Sequence, residues 1–110
     1  MAIPHAISGQ PVDVHPLGTE LSSAQSIALF KSQDIEVMRV VLLAGKSMKE
    51  HQLTGEMTIQ CLEGRLDLCV GGLAQRIEAG QLLFLAAHVP HSLTALEDAC
   101  ALITIVVRKP

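Results

Sequence analysis

From Ser26 onward the chain runs as short apolar stretches cut by turn signals. The pattern predicts strands over Ser26–Lys31, Ile35–Ala44, Met57–Leu62, Arg65–Val70, Leu73–Glu78, Gln81–Ala86, His91–Leu96 and Ala99–Val107. Gly45, Glu63-Gly64, Gly71-Gly72, Ala79-Gly80, His88-Val89-Pro90 and Glu97-Asp98 punctuate them. The Gly71-Gly72 pair is the clearest hairpin signal, because glycine accepts the positive φ that tight hairpin turns require. Short strands at even spacing suggest an all-β sandwich or barrel. Residues 1–18 carry Pro4, Gly9, Pro11, Pro16 and Gly18, and read as an extended arm ahead of one domain over residues 19–110. Glu20–Leu29 is the best helix candidate, with Ser22 and Ser23 available as caps. The β-like Ile27-Ala28-Leu29-Phe30 within and after it argues equally for a strand.

Two runs are apolar on both faces, Val37–Leu43 and Leu102–Val107. A half-solvated strand alternates, whereas one covered on both sides need not. In a chain of 110 residues a second copy is a natural cover. A homodimer joined through the N-terminal strands is therefore expected.

Composition narrows the partners. Hydrophobic residues make up 49% and charged residues 17%, which argues against disorder. The net charge is −3 with no basic block, and Phe30 and Phe84 are the only aromatic residues apart from histidine. Nucleic-acid binding needs clustered cations and commonly stacking rings, so it is not expected. The same shortage of rings argues against a sugar-stacking platform. No run reaches the roughly 18 apolar residues of a membrane helix, and the N-terminus does not read as a signal peptide. Cys61, Cys69 and Cys100 match neither a zinc ribbon nor a redox pair. They read as buried apolar thiols in a reducing compartment, which points to the cytoplasm.

Two stretches carry the candidate chemistry. The first runs from Gly45 through His51, Leu53, Glu56, Met57 and Ile59 to Gly64; the second from Gly80 through Phe84, His88, Pro90, His91 and Leu93 to Ala95. Their frame resembles the two motifs of the cupin superfamily. Gly45, His51 and Gly64 fall in frame for the first motif, Gly80 and His91 for the second. The resemblance spans residues 35–107 and implies a cupin-type β-barrel of two facing antiparallel sheets.

Many cupins hold Fe, Mn, Ni, Zn or Cu with three histidines and a carboxylate. Of that set this chain keeps His51 and His91. Leu53 stands at the second histidine position, Met57 at the carboxylate position and Ala95 at the last position of the second motif. Two imidazoles are a poor cage for a divalent transition metal, which takes three or four protein ligands. A third ligand would have to come from His88, in a turn, or from Glu56, if the Leu53-Thr54-Gly55 loop shifted by one residue. Met48 and Met57 would soften a copper site, since thioethers suit Cu(I), but core filling is the more ordinary role of a methionine. His5 and His15 read as solvent-exposed residues of the arm. Lys46, Lys49 and Glu50 read as a solvated turn, and Cys61 as a buried thiol.

Two functions follow. One is a binding or sensing module with a small-molecule pocket lined by Leu53, Met57, Ile59, Phe84 and Leu93, with His51 and His91 as its polar groups. The other is a metal-dependent enzyme, an oxygenase or isomerase, built on the same histidines. The fold implied by the resemblance does not choose between them.

Overall fold

The computed structural model describes residues 5–107. A short 3-10 turn over Gly18–Ser23 precedes the strands β1 (Ile27–Lys31), β2 (Ile35–Leu42), β3 (Ser47–His51), β4 (Met57–Glu63), β5 (Arg65–Val70), β6 (Leu73–Glu78), β7 (Leu82–Leu85), β8 (His91–Ala95) and β9 (Ala99–Val106). They form a five-stranded sheet in the order β1-β2-β9-β4-β7 and a four-stranded sheet in the order β3-β8-β5-β6, with every pairing antiparallel. The cupin-type barrel of two facing sheets is what the turn spacing and the motif frame predicted.

Three local expectations need correction. The helix candidate Glu20–Leu29 divides into the 3-10 turn and β1, since Ile27-Ala28-Leu29-Phe30 pairs with β2. Lys49 and Glu50 are not in a solvated turn; they lie on β3. This strand sits at a sheet edge and pairs only with β8, so its exposed charges guard an open edge. The apolar outer face of β2 is covered partly by the chain's own arm. Ala6 N–H donates to Leu29 O, and Arg39 donates from Nη2 to Asp13 O at 2.7 Å. The Glu63 carboxylate accepts from Leu17 N–H and Gly18 N–H, which fixes the far end of the arm.

Inside the barrel the alternation of each strand delivers one row to the core. Cys61, Leu66, Leu68, Ile77, Leu85, Ala95, Ala99 and Ala101 pack one end solid. The small side chains at 95, 99 and 101 let the sheets close there. The longer side chains at the other end enclose a cavity.

Candidate functional site

The cavity has a volume of about 210 Å³. The five-stranded sheet contributes Met38, Met57, Ile59, Ile103 and Ile105; β3 and β8 contribute Met48, His51, His91 and Leu93; Leu53 closes the rim. Larger hollows of about 290, 530 and 590 Å³ run along the arm and are lined largely by its own residues.

His51 and His91 are register partners on β3 and β8, so their side chains project from neighbouring positions of one face. The ring centroids stand 4.3 Å apart with the planes inclined at 56°. Each ring is anchored alike: Nδ1 of His51 lies 2.9 Å from Lys49 O, and Nδ1 of His91 lies 3.0 Å from Val89 O. A carbonyl oxygen only accepts, so each Nδ1 carries the proton and, in the neutral ring, each Nε2 keeps a lone pair. Among the described residues neither Nε2 makes a hydrogen bond. His91 is 3% exposed and His51 is half-buried. The cavity therefore presents two acceptor nitrogens on one wall and thioether and aliphatic groups elsewhere.

Of the residues read from sequence, His51, His91, Leu53, Met57, Ile59 and Leu93 meet at this cavity. Phe84 does not. It is 60% exposed, because the inward parity of β7 falls on the partly buried Leu83 and the buried Leu85. Neither proposed third ligand joins the histidines. His88 is exposed, in a turn with a positive φ of 65°, and its N–H is held by Leu53 O at 2.7 Å. Glu56 is exposed as well, and its carbonyl accepts from Val106 N–H. The one-residue shift that would turn it inward is blocked at Gly55, where a Cβ would stand 1.8 Å from Val106 O. His5 and His15 are exposed, with His15 paired to the neighbouring Asp13. Cys61 is fully buried and its Sγ faces Glu63 O and Gly64 O; burial pushes this thiol, and that of Cys100, up from the usual range.

Sequence reasoning missed Met38, Ile103 and Ile105 as lining residues, and weighed Met48 only as core or pocket filling or a soft copper ligand, without placing it among the lining residues. The first three lie on strands that are apolar on both faces, so alternation could not tell inside from outside. Met48 is three residues from His51, a spacing that puts the two on opposite faces of a regular strand. A bulge between them pairs Met48 with Leu93 and His51 with His91, and both reach the cavity.

Residues 38–108 match the family described as the cupin domain. The chain is a cupin. Solved structures agree at the level of fold. A cupin superfamily protein from Desulfitobacterium hafniense aligns over 97% of this chain and 99% of its own, at 15% identity and a TM-score of 0.76. An RmlC-like cupin protein from Desulfovibrio desulfuricans aligns over 88% and 96%, at 20% identity and a TM-score of 0.74. Salicylate 1,2-dioxygenase from Pseudoaminobacter salicylatoxidans aligns over 73% of this chain and 26% of its own, at 18% identity and a TM-score of 0.66. No curated protein matches the chain.

The usual metal set of three histidines and a carboxylate does not fit this cupin. Among the described residues no three His, Cys, Asp or Glu side chains gather as a cage, and Leu53 and Met57 place apolar groups where the other ligands would stand. Among the described residues no helix is long and apolar enough to cross a membrane.

Proposed function

We propose that this cupin binds a small, largely apolar molecule whose hydrogen-bond donor faces the Nε2 atoms of His51 and His91. The observation that carries the reading is the pair of backbone-anchored imidazoles, with unshared lone pairs, at one wall of an otherwise apolar cavity. Small-molecule sites have this composition: mostly apolar lining and a few convergent polar groups. Size limits the ligand. A cavity of about 150 Å³ holds benzene, so one of about 210 Å³ suits a single ring or short branched chain with one polar substituent. A donor is preferred over an acceptor, because a buried acceptor left unpaired costs about 1–3 kcal/mol.

A second copy of the chain is the macromolecular partner we propose. Leu82 and Phe84, 65% and 60% exposed, form an apolar strip on β7, at the sheet edge opposite β1. The interface proposed lies there rather than through the N-terminal strands expected from sequence, which the arm partly covers. The three free cysteines, two of them buried, support a reducing, cytoplasmic setting.

The pocket reports its own occupancy, since three of the chain's four methionines line it. With ¹³C-labelled methionine methyls, phenol is expected to shift the pocket resonances saturably, with a Kd of about 1 mM or tighter. Benzene, which fills the space without donating, is expected to bind at least about tenfold more weakly. His51→Ala and His91→Ala should each narrow that difference. Equal binding of phenol and benzene, or no saturable shift with either, would overturn the proposal.

A further inference from the structure

Alternation along β2 turns Met38 and Val40 into the barrel and Val37, Arg39 and Val41 to the outer face. The arm crosses that face, tied by Ala6 N–H to Leu29 O and by Arg39 Nη2 to Asp13 O. Between arm and sheet lies the hollow of about 290 Å³, walled by Arg39 and by apolar groups that include Val12, Ile27 and Leu29. Arg39 is 9% exposed. Its bond to Asp13 O is the one hydrogen bond of its guanidinium among the described residues. Nε is sealed in the packing without a partner, whereas Nη1, equally unbonded, is not sealed. The ion pairs among the described residues join His15 to Asp13, Arg65 to Glu97 and Arg76 to Asp67, and Arg39 enters none. The Asp13 carboxylate is mostly exposed and turned to His15, whose backbone N–H chiefly holds it below the usual carboxylate range.

An arginine at this depth carries a charge whose desolvation one neutral hydrogen bond repays poorly, and buried charges are ordinarily paired. The fork of a guanidinium matches the two oxygens of a carboxylate, in a contact that is charge-assisted at both ends. We propose that the hollow binds a small monocarboxylic acid, its carboxylate on Arg39 and its apolar body against Val12, Ile27 and Leu29. One cation suits one negative charge. Asp13, the other charged residue of the lining, disfavours a second, so a phosphate monoester with nearly two charges is a poorer match. The site lies on the outer face of the five-stranded sheet, under the arm. It is therefore separate from the barrel cavity, and the phenol measurement stands or falls independently of it.

The full chain, labelled with ¹⁵N and with ¹³C at the methionine methyls, is titrated with isovalerate at neutral pH and constant ionic strength. The Arg39 Nε–H resonance should shift saturably, with a Kd of about 5 mM or tighter. Isovaleramide has the same shape without the charge, and should bind at least about tenfold more weakly. The methyls of Met48 and Met57, which line the barrel cavity, should stay in place. Arg39→Lys keeps the charge and should bind within about tenfold of the parent, whereas Arg39→Met should lose saturable binding. If Arg39→Met fails to fold or frees the arm, the comparison of acid and amide on the parent chain decides alone. Four results would overturn the site: no saturable shift, an amide that binds as well as the acid, a folded Arg39→Met variant that binds like the parent, or shifts at Met48 and Met57 in place of Arg39.

Discussion

Replacing His91 with leucine should leave the barrel as stable as before, or more so, while removing half of the polar wall. The imidazole is 3% exposed and makes one protein hydrogen bond, from Nδ1 to Val89 O at 3.0 Å. That bond contributes on the order of 1 kcal/mol net, which the substitution forfeits. Nε2 has no protein partner, but it opens onto the cavity rather than being sealed in the packing, so its removal adds no large gain. The unpaired polar atom sealed among the described residues is Arg39 Nε. Leucine also adds about 1–2 kcal/mol of apolar burial among Leu93, Ile103 and Ile105. The balance is a gain of about 0–1 kcal/mol, at about 5 °C in Tm per kcal/mol for a domain of this size. Thermal and urea denaturation of the two proteins at neutral pH measure it. Leu93→Ala calibrates the scale: Leu93 is 2% exposed in the same wall and should cost about 2–5 kcal/mol. If His91→Leu instead loses more than about 2 kcal/mol, the imidazole is a structural support. The proposed small-molecule ligand would then lose the premise that the lone pairs await a partner.

Three further outcomes are expected. Burial raises the Cys61 and Cys100 thiols in the folded state, so the native chain holds those protons more tightly than the unfolded one. Their contribution is complete below the unfolded thiol pKa of about 8.5 and is lost as pH climbs past it, so the urea midpoint should fall between about pH 8 and 10. Replacing both thiols with alanine should flatten that slope, and an unchanged slope would refute the assignment. Gly55→Ala puts a Cβ 1.8 Å from Val106 O, so the end of β9 must move, at a cost of about 2–3 kcal/mol in chemical denaturation; a neutral result would mean that the rim loop is loose. Light scattering at micromolar concentration should give a dimer mass, and Leu82→Lys/Phe84→Lys should give a folded monomer. A monomeric parent would remove the dimer.

What the sequence disclosed divides along physical lines. Turn chemistry is local, and most strand boundaries came within a residue or two because Gly71-Gly72, Glu63-Gly64 and Glu97-Asp98 impose their breaks on any fold. β3 escaped notice because an edge strand pairs once and keeps polar side chains, so Ser47–His51 lacks the apolar signature of the other strands. Phe84 was expected to line the pocket, whereas the parity of β7 decides its direction and sends it outward. The bulge was unreadable for a different reason: nothing in Met48-Lys49-Glu50-His51 marks it, and it exists only in the pairing with β8. The cover on β2 was likewise a long-range fact. An apolar outer face on β2 suggests a second chain as cover, and the arm supplies part of that cover within one.

The departures from the cupin frame fit together when read as chemistry rather than as losses. Leu53 and Met57 remove a lone pair and a negative charge from the usual ligand set, yet the two remaining imidazoles are still anchored and aimed. A barrel with no use for them would gain stability from apolar groups at positions 51 and 91, by the same arithmetic that predicts the outcome of His91→Leu. Keeping two unpaired acceptors in a cavity stripped of charge favours occupants that bring a donor or a single positive charge, and disfavours ions that need anionic ligands. Phenol probes the first of those classes. If phenol does not bind while His91→Leu stabilises the fold, the small-molecule reading falls, and the paired imidazoles are residues of the cupin frame rather than the polar wall of a binding site.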